Sequence, residues 1–451
     1  MSFTNFIPFA YKTLRRSARI LKKEKGGNKH KKIEESLLGY FDLLPIEIQF
    51  RIFSYLSVDD LSILTISSKA VRNQIEVYRN SSYGLKNLIP DIITKKFTFP
   101  ISVALENENV MHFHKLGLLM KRSTCLYPTK QRMTIILEFI NKLECNPQNN
   151  ISNMTHVLQC YGKFIHTIIA GWDESECCFV HSILDNVSDM KKHLKYVLTS
   201  FPGSNPGKEM YVRMYHRFVY LDYCWNSTDR SFWLSKILKP WPLVHQAKLL
   251  FLLYGPVCSD KIQWFELTEN TPEDYSEASK KLTDLAYIIQ LMQQNTLEWN
   301  GDDIISILEE ITDTPEEWMP ENIAILLLFC GDIVAAMFMG NKLLNGKTIE
   351  LANLVIYLAM ACTKYDYQQK WLVQLIDKIC HMSKNKMDRQ KFIQMIPAAF
   401  QEIIMDIHDI DEGRESELKM LIETQTSFLS VIINRAFCQS TAFTCKVVSE
   451  E

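Results

Sequence analysis

The chain has 451 residues, of which 47% are hydrophobic and 23% charged, so it can bury a large core and is not globally disordered. Fifty Lys and Arg stand against 52 Asp and Glu, and the net charge of −2 gives no general reason to expect a nucleic acid or a membrane as partner. Glycine and proline number 15 each, well below average usage. This argues against turn-rich architectures such as propellers and multi-strand sandwiches and favours helices joined by short loops.

The first 36 residues differ in composition from the rest of the chain. Up to Lys32 they carry ten Lys or Arg and one acid, and Gly26-Gly27 interrupts any helix. A basic segment with helix breakers predicts a disordered arm, residues 1–36, which is an inert tail, a nonspecific nucleic-acid contact or a nuclear import signal. The import hypothesis places the protein in the nucleus, with the cytoplasm as a second location. Its candidate residues are Arg15, Arg16, Lys22, Lys23, Lys25, Lys31 and Lys32.

Residues 40–85 predict a short helix, a tight turn and a longer helix. Pro45 suits the start of the first helix, and Ser57 or Asp59 can cap the second. The apolar positions are too many for two helices to bury against each other. A unit of about 40 residues rarely holds a sufficient core of its own. We therefore expect this unit to pack on the rest of the chain, on a partner, or on both.

After residue 85 the sequence predicts helix after helix, with apolar residues at i, i+3, i+4 and i+7. The fold class is mainly α: a short N-terminal helical unit followed by a large irregular all-helical domain. Breakers near 255–275 predict two helical regions, 86–260 and 275–437, before a polar tail at 438–451. No repeat of constant period is visible, which argues against tetratricopeptide or leucine-rich arrays. The longest apolar stretch, Ile323–Gly331, is too short for a membrane span.

The chemical motifs predict no catalytic site, metal site, cofactor or small-molecule substrate. Gly340–Thr348 has five residues between its glycines where a phosphate loop has four, and a helix ending near Met339 followed by a turn explains it better. Gly171–Cys177 is dense in acids and reads as a helix cap with a buried cysteine. Phe232–Pro242 is aromatic and reads as a packed helix end, with Trp233 and Trp241 as a candidate surface for a protein client.

The segment from Leu44 to Leu64 resembles an F-box, the helical module that docks on an SKP-type adaptor. The Leu-Pro start, the acid two residues later, the isoleucine and leucine face and the Asp-Leu second start all match the family pattern. The closing tryptophan of the pattern is Val71 here, so the segment departs from the family pattern at its last position. The expected adaptor contacts are Leu44, Pro45, Ile48, Ile52, Leu56, Leu61 and Leu64.

Further segments resemble one subfamily of F-box proteins, and together they span about residues 40 to 400. The resemblance implies a non-catalytic substrate receptor of an SCF-type (cullin–RING) ubiquitin ligase. Its partners would be the SKP-type adaptor, a cullin and an unknown client, and it would act in the nucleus of meiotic germ cells. The alternative is a helical scaffold in a nuclear or chromosome-associated complex without ligase activity. The resembling segments are Leu116–Arg122, Ala170–Cys177, Phe232–Pro242 and Gly346–Ala352.

Overall fold

The computed structural model describes residues 38–90, 103–141, 151–410 and 415–447. The predicted basic arm and all seven candidate import residues lie outside the described residues. The chain divides into two compact units, one ending at Pro147 and the other beginning at Gln148. We call them the N-terminal unit and the helical body, and each is described by itself.

The N-terminal unit consists of helices in its described part. A 3-10 turn, Gly39–Leu43, precedes the first helix. The helices are α1 (Ile46–Ser54), α2 (Val58–Ser67), α3 (Lys69–Asn80), α4 (Ser82–Leu88), α5 (Val103–Ser123) and α6 (Thr129–Asn141).

The core of the N-terminal unit joins the short helices of residues 40–85 to the longer helix α5. Helix α2 packs along α5. The fully buried Arg79 of α3 donates to Ser123 Oγ at 2.7 Å, and burial lowers the pKa of its guanidinium. Ser62 Oγ in α2 accepts from Arg122 Nη1 at 3.0 Å. The small unit therefore completes its core with the chain that follows it, as the excess of apolar positions predicted.

In the part that the structure describes, the helical body is also built from helices, apart from one short hairpin of two strands with two residues each. Strands β1 and β2 pair antiparallel, with Val257 opposite Ile262. The mainly α fold class is thus confirmed. The elements are α7 (Ile151–Ile169), α8 (Glu174–Val187), α9 (Met190–Thr199), α10 (Pro206–His216), a π-helical turn (Arg217–Leu221), α11 (Ser227–Leu238), α12 (Leu243–Tyr254), β1 (Val257–Cys258), β2 (Lys261–Ile262), α13 (Glu266–Glu269), α14 (Tyr275–Gln294), α15 (Gly301–Asp313), α16 (Pro320–Leu344), α17 (Thr348–Lys364), α18 (Gln369–Met382), α19 (Lys386–Ile410) and α20 (Glu415–Val447).

The breaker-rich stretch near 255–275 does not divide the body, contrary to the sequence prediction. Trp264 is buried there; its Nε1 donates to Glu209 Oε2 of α10 at 2.9 Å, and its ring stacks on Phe251 of α12. On the other side, Asn322 of α16 donates to the carbonyls of Leu267 and Asn270, both at 2.8 Å. The connector is therefore a packed part of a single unit that starts at Gln148.

Replacing Asn322 by alanine is expected to destabilise the body by about 1–3 kcal/mol. Its side chain is fully buried, and its loss removes the donor to the Asn270 carbonyl, whereas the Leu267 carbonyl keeps a second donor, the Met319 N–H at 3.0 Å. Urea unfolding followed by tryptophan fluorescence measures the change. Asn345→Ala, at an exposed position, is the matched control and should change stability by less than about 0.5 kcal/mol. Equal stability of the two variants would contradict the role given to Asn322.

Helix α16 is long and apolar enough to cross a membrane by length and composition, yet it packs as a core helix against α14 and α17. Gly331 interrupts it with a φ of 79°, a left-handed conformation that favours glycine. Gln290 of α14 donates to the carbonyls of Phe329 and Cys330, at 3.0 and 2.9 Å, and so satisfies groups that the break leaves without helical partners. The interruption of α16 is thus stabilised by side-chain hydrogen bonds from a neighbouring core helix.

Two predicted helix ends differ from the observed ones. The helix expected to end near Met339 continues to Leu344, where Gly346 with a φ of 73° makes the turn before α17 begins at Thr348. Helix α20 runs to Val447, through most of the predicted polar tail. The first of these helices continues because Leu343, four residues after the buried Met339, extends its buried face by a further turn.

Candidate adaptor-binding site

The start of α1 is fixed by a buried glutamine. Pro45 occupies the N-cap position of the helix, where its missing N–H costs no hydrogen bond. Gln49, which is buried, donates from Nε2 to the carbonyls of Phe41 and Leu44, both at 3.1 Å. This side chain ties the preceding 3-10 turn to the helix. The Leu44-Pro45 pair is therefore held in one geometry, with Pro45 exposed and Leu44 half-buried.

Helix α1 has one inward face and one outward apolar face. Inward, Phe53 is 3% exposed and packs against Tyr78 of α3 with ring centroids 5.6 Å apart. Outward, Ile48, Ile52 and Tyr55 follow at i, i+4 and i+7 and are 44%, 38% and 78% exposed. We call these three residues the α1 stripe. Contiguous exposed apolar side chains at helical spacing are typical of a surface that binds a partner.

The link between α1 and α2 is a capping box. Ser57 Oγ accepts from the Asp60 backbone N–H at 3.1 Å, and the Asp60 carboxylate accepts from the Ser57 N–H. Hydrogen bonds from the Ser57 side chain and backbone lower the pKa of the Asp60 carboxyl. The prediction that Ser57 or Asp59 caps α2 is confirmed for Ser57. The second helix therefore begins at a defined residue, with Leu56 half-buried just before it.

Helix α2 departs from the predicted contacts. Leu61 is 1% exposed and faces the interior of the N-terminal unit with Val58 and Thr65, so it is not available to a partner. Leu64 is half-buried. The outward positions are instead Ile63 and Ile66, both 56% exposed, which sequence reasoning did not select. The physical reason is that α5 covers the side of α2 that carries Leu61.

The divergent end of the F-box-like segment still forms regular structure. Ser67 is the last residue of α2, and Ser68 caps α3 by accepting from the Ala70 N–H. Arg72 Nε donates to the Thr65 carbonyl at 2.8 Å and holds the two helices together. Val71 is half-buried in the first turn of α3. The replacement of tryptophan by Val71 thus leaves the helix start intact.

The two tryptophans predicted as a client surface do not form one. Trp233 is 3% exposed and packs against Tyr220 at 5.0 Å between ring centroids. Trp241 is half-buried, and the two side chains line different cavities of the body. The sequence favoured a packed helix end for this segment, and the burial of Trp233 supports that interpretation.

An N-terminal helical unit with an outward apolar stripe behind a Leu-Pro start, followed by a large helical body, is the architecture of an F-box protein. A family model described as "FBXO47, ARM repeats" matches residues 186–430, more than half of the chain. The chain is also 35% identical to F-box only protein 47 of Homo sapiens and of Mus musculus over 407 residues, which is 87% of this chain and 88% of each relative. No solved structure matches the chain. The chain therefore belongs to the F-box only protein 47 family.

The family match also identifies what the sequence analysis missed. Armadillo repeats are stacked helical repeats of about 40–47 residues. The helices that lie wholly in the matched region range from 4 residues in α13 to 25 residues in α16, so no constant period marks them. Approximate recurrence of groups of two or three helices is the sequence signal that would have indicated these repeats.

Proposed function

We propose that this chain is the substrate-recognition subunit of an SCF-type ubiquitin ligase. In this proposal the α1 stripe, with Leu44 and Pro45, docks on an SKP-type adaptor that connects to a cullin, and the helical body presents a protein client. The α1 stripe is the observation that carries the proposal, because it exposes three large apolar side chains on one helix face. Membership of the F-box only protein 47 family supports the same assignment.

The receptor role needs no catalytic group of this chain. In a ligase of this kind the thioester chemistry belongs to other subunits, and the receptor contributes proximity and orientation. Where the described cysteines of the body have clearly shifted pKa values, burial raises them, for instance to about 12 for Cys362. A raised pKa disfavours the thiolate that nucleophilic catalysis requires. The chain is accordingly proposed to be a non-catalytic receptor.

We further propose a nuclear location and a role in meiotic germ cells, which the family resemblance suggests. The seven basic residues proposed for import, from Arg15 to Lys32, belong to the first 36 residues. Replacing all seven by alanine in a fluorescently tagged full chain is the direct test. Loss of nuclear accumulation would support the import role, and unchanged accumulation would contradict it.

The second candidate function is a helical scaffold without ligase activity. Val71, at the position where the F-box pattern has tryptophan, is the observation that favours it. Binding of the adaptor without recruitment of a cullin would distinguish this scaffold from the receptor.

Co-expression with an SKP-type adaptor and a cullin is the experiment that tests the proposed function. The wild-type chain should form the three-component complex, and Leu44→Ala with Pro45→Ala should weaken adaptor binding at least about tenfold, since apolar anchors contribute about 2 kcal/mol or more. An adaptor complex lacking cullin would favour the scaffold. Unchanged affinity of a folded double variant would contradict the assignment of Leu44 and Pro45.

A further inference from the structure

A small pocket in the helical body joins two segments that the sequence analysis singled out separately. It has a volume of about 190 Å³ and lies between the end of α7, the start of α8 and the start of α11. Gly171–Cys177 contributes Trp172 and Glu174, whereas Phe232–Pro242 contributes Phe232 and Trp233. The remaining segment, at the start of α11, adds Trp225 and Asp229. Two motifs without an assigned role thus form one concave site.

The walls of this pocket are aromatic faces, and one of them is strongly exposed. Trp225 is 77% exposed, an unusual state for a side chain that proteins normally cover. Two of the rings already attract cations of the chain: Lys163 Nζ lies 5.9 Å from the ring centroid of Trp225, and Lys236 Nζ lies 5.4 Å from that of Phe232. Tryptophan faces are the best aromatic partners of ammonium and guanidinium groups.

The rim of the pocket carries carboxylates that hold no cation. Asp173 and Glu176, at the start of α8, are engaged in a capping box and accept backbone N–H groups. Glu174 and Asp229 are exposed and line the pocket. Within the described residues, no Lys or Arg pairs with either of these two carboxylates. Two acids of Gly171–Cys177, Asp173 and Glu176, therefore cap α8. The third, Glu174, lines the pocket together with Asp229.

The thiol of Cys177 also lines the pocket, close to several carboxylates. Burial raises its pKa to about 11, with further contributions from Cys178 and from the negative charges of Glu176, Asp173 and Asp229. Asp229, which lines the pocket, is therefore close enough to act electrostatically on this part of its wall.

We propose that this pocket binds a single basic side chain, lysine or arginine, of a partner protein. Aromatic faces with unpaired carboxylates at the rim provide cation–π and charge attraction for an ammonium or guanidinium group, and repel an acidic one. The volume is below the roughly 300 Å³ at which pockets for whole small ligands begin, so it suits one side chain. The inference rests on the proposed function, since the partner is the client that the receptor presents.

The test uses the full chain, alone and with the adaptor, and N-acetyl-arginine amide as probe, with binding measured by ligand-observed NMR. The citrulline analogue has the same shape without the charge and is expected to bind at least tenfold more weakly. Glu174→Gln with Asp229→Asn should weaken arginine amide binding about tenfold, and Trp225→Ala about fivefold. Glu316→Gln with Glu317→Gln, a pair of exposed acids outside the pocket, is the matched control and should leave binding unchanged.

Equal binding of the citrulline and arginine amides would overturn the inference, and so would full binding by the variant that lacks both rim carboxylates. All variants should retain adaptor binding, because their substitutions lie in the helical body. Adaptor binding without arginine amide binding would refute the pocket and leave the receptor function standing. Arginine amide binding by a chain that binds no adaptor would support the pocket and refute the receptor function.

Discussion

Replacing Ile48 and Ile52 together by glutamate is expected to weaken adaptor binding at least about a hundredfold. Both side chains belong to the α1 stripe and are exposed enough that their replacement leaves the fold intact. Two apolar anchors at about 2 kcal/mol each correspond to roughly a thousandfold in affinity, and a buried unpaired carboxylate adds to the loss. Isothermal titration of the purified chain with the adaptor measures the effect.

The matched control places the same charges elsewhere. Ile333→Glu with Ile349→Glu changes two isoleucines of the helical body that are 57% and 56% exposed, and it should leave adaptor affinity unchanged. A third variant, Ile63→Glu with Ile66→Glu, tests whether the outward face of α2 shares the interface. If that variant loses binding while the Ile48/Ile52 variant keeps it, the adaptor surface lies on α2 and the assignment to α1 is wrong.

The helices of the N-terminal unit were largely predictable because local signals agree there. Pro45 marks the start of α1, and Ser57 with Asp60 marks the start of α2. Each signal depends on residues within one helical turn, so the sequence contains all the information that the backbone needs at these points.

The direction in which each apolar stripe faces was less predictable. Leu61 and Ile63 lie on the same helix and differ little in hydrophobicity, yet Leu61 is buried and Ile63 is 56% exposed. Which of the two faces the interior depends on where α5 packs, and α5 starts some 40 residues later in the chain. Periodicity identifies stripes but not the partner that covers them.

The same limit applies to the body. Trp233 looked like a candidate contact residue from its aromatic neighbourhood, but tertiary packing against Tyr220 covers it. The exposed tryptophan of the pocket is Trp225, which no local motif distinguishes. The connector near 255–275 looked like a linker because it is rich in breakers, while its packing depends on Trp264 and Asn322, whose partners are distant in sequence.

Lowering the pH from 6 to 4.5 is expected to reduce the stability of the helical body by about 3 kcal/mol through two histidines. His166 and His216 are 7% and 2% exposed, and each ring contacts one backbone carbonyl, of Val219 and Val212 respectively. Burial lowers the pKa of both to about 4. In the unfolded chain a histidine has a pKa of about 6.5, so between these values the unfolded state binds more protons.

Stability falls as the pH is lowered because folding depresses the pKa of both histidines. The stabilisation is fully present above about pH 6.5 and is lost as the pH falls towards 4, because unfolding then takes up two protons. All eight tryptophans lie after residue 148, so tryptophan fluorescence during urea unfolding reports the helical body alone. His166→Gln with His216→Asn keeps a donor towards each carbonyl and removes the titration, so the pH dependence should flatten. An equally steep decline in this variant would show that other groups, and not the two buried imidazoles, cause the loss of stability at low pH.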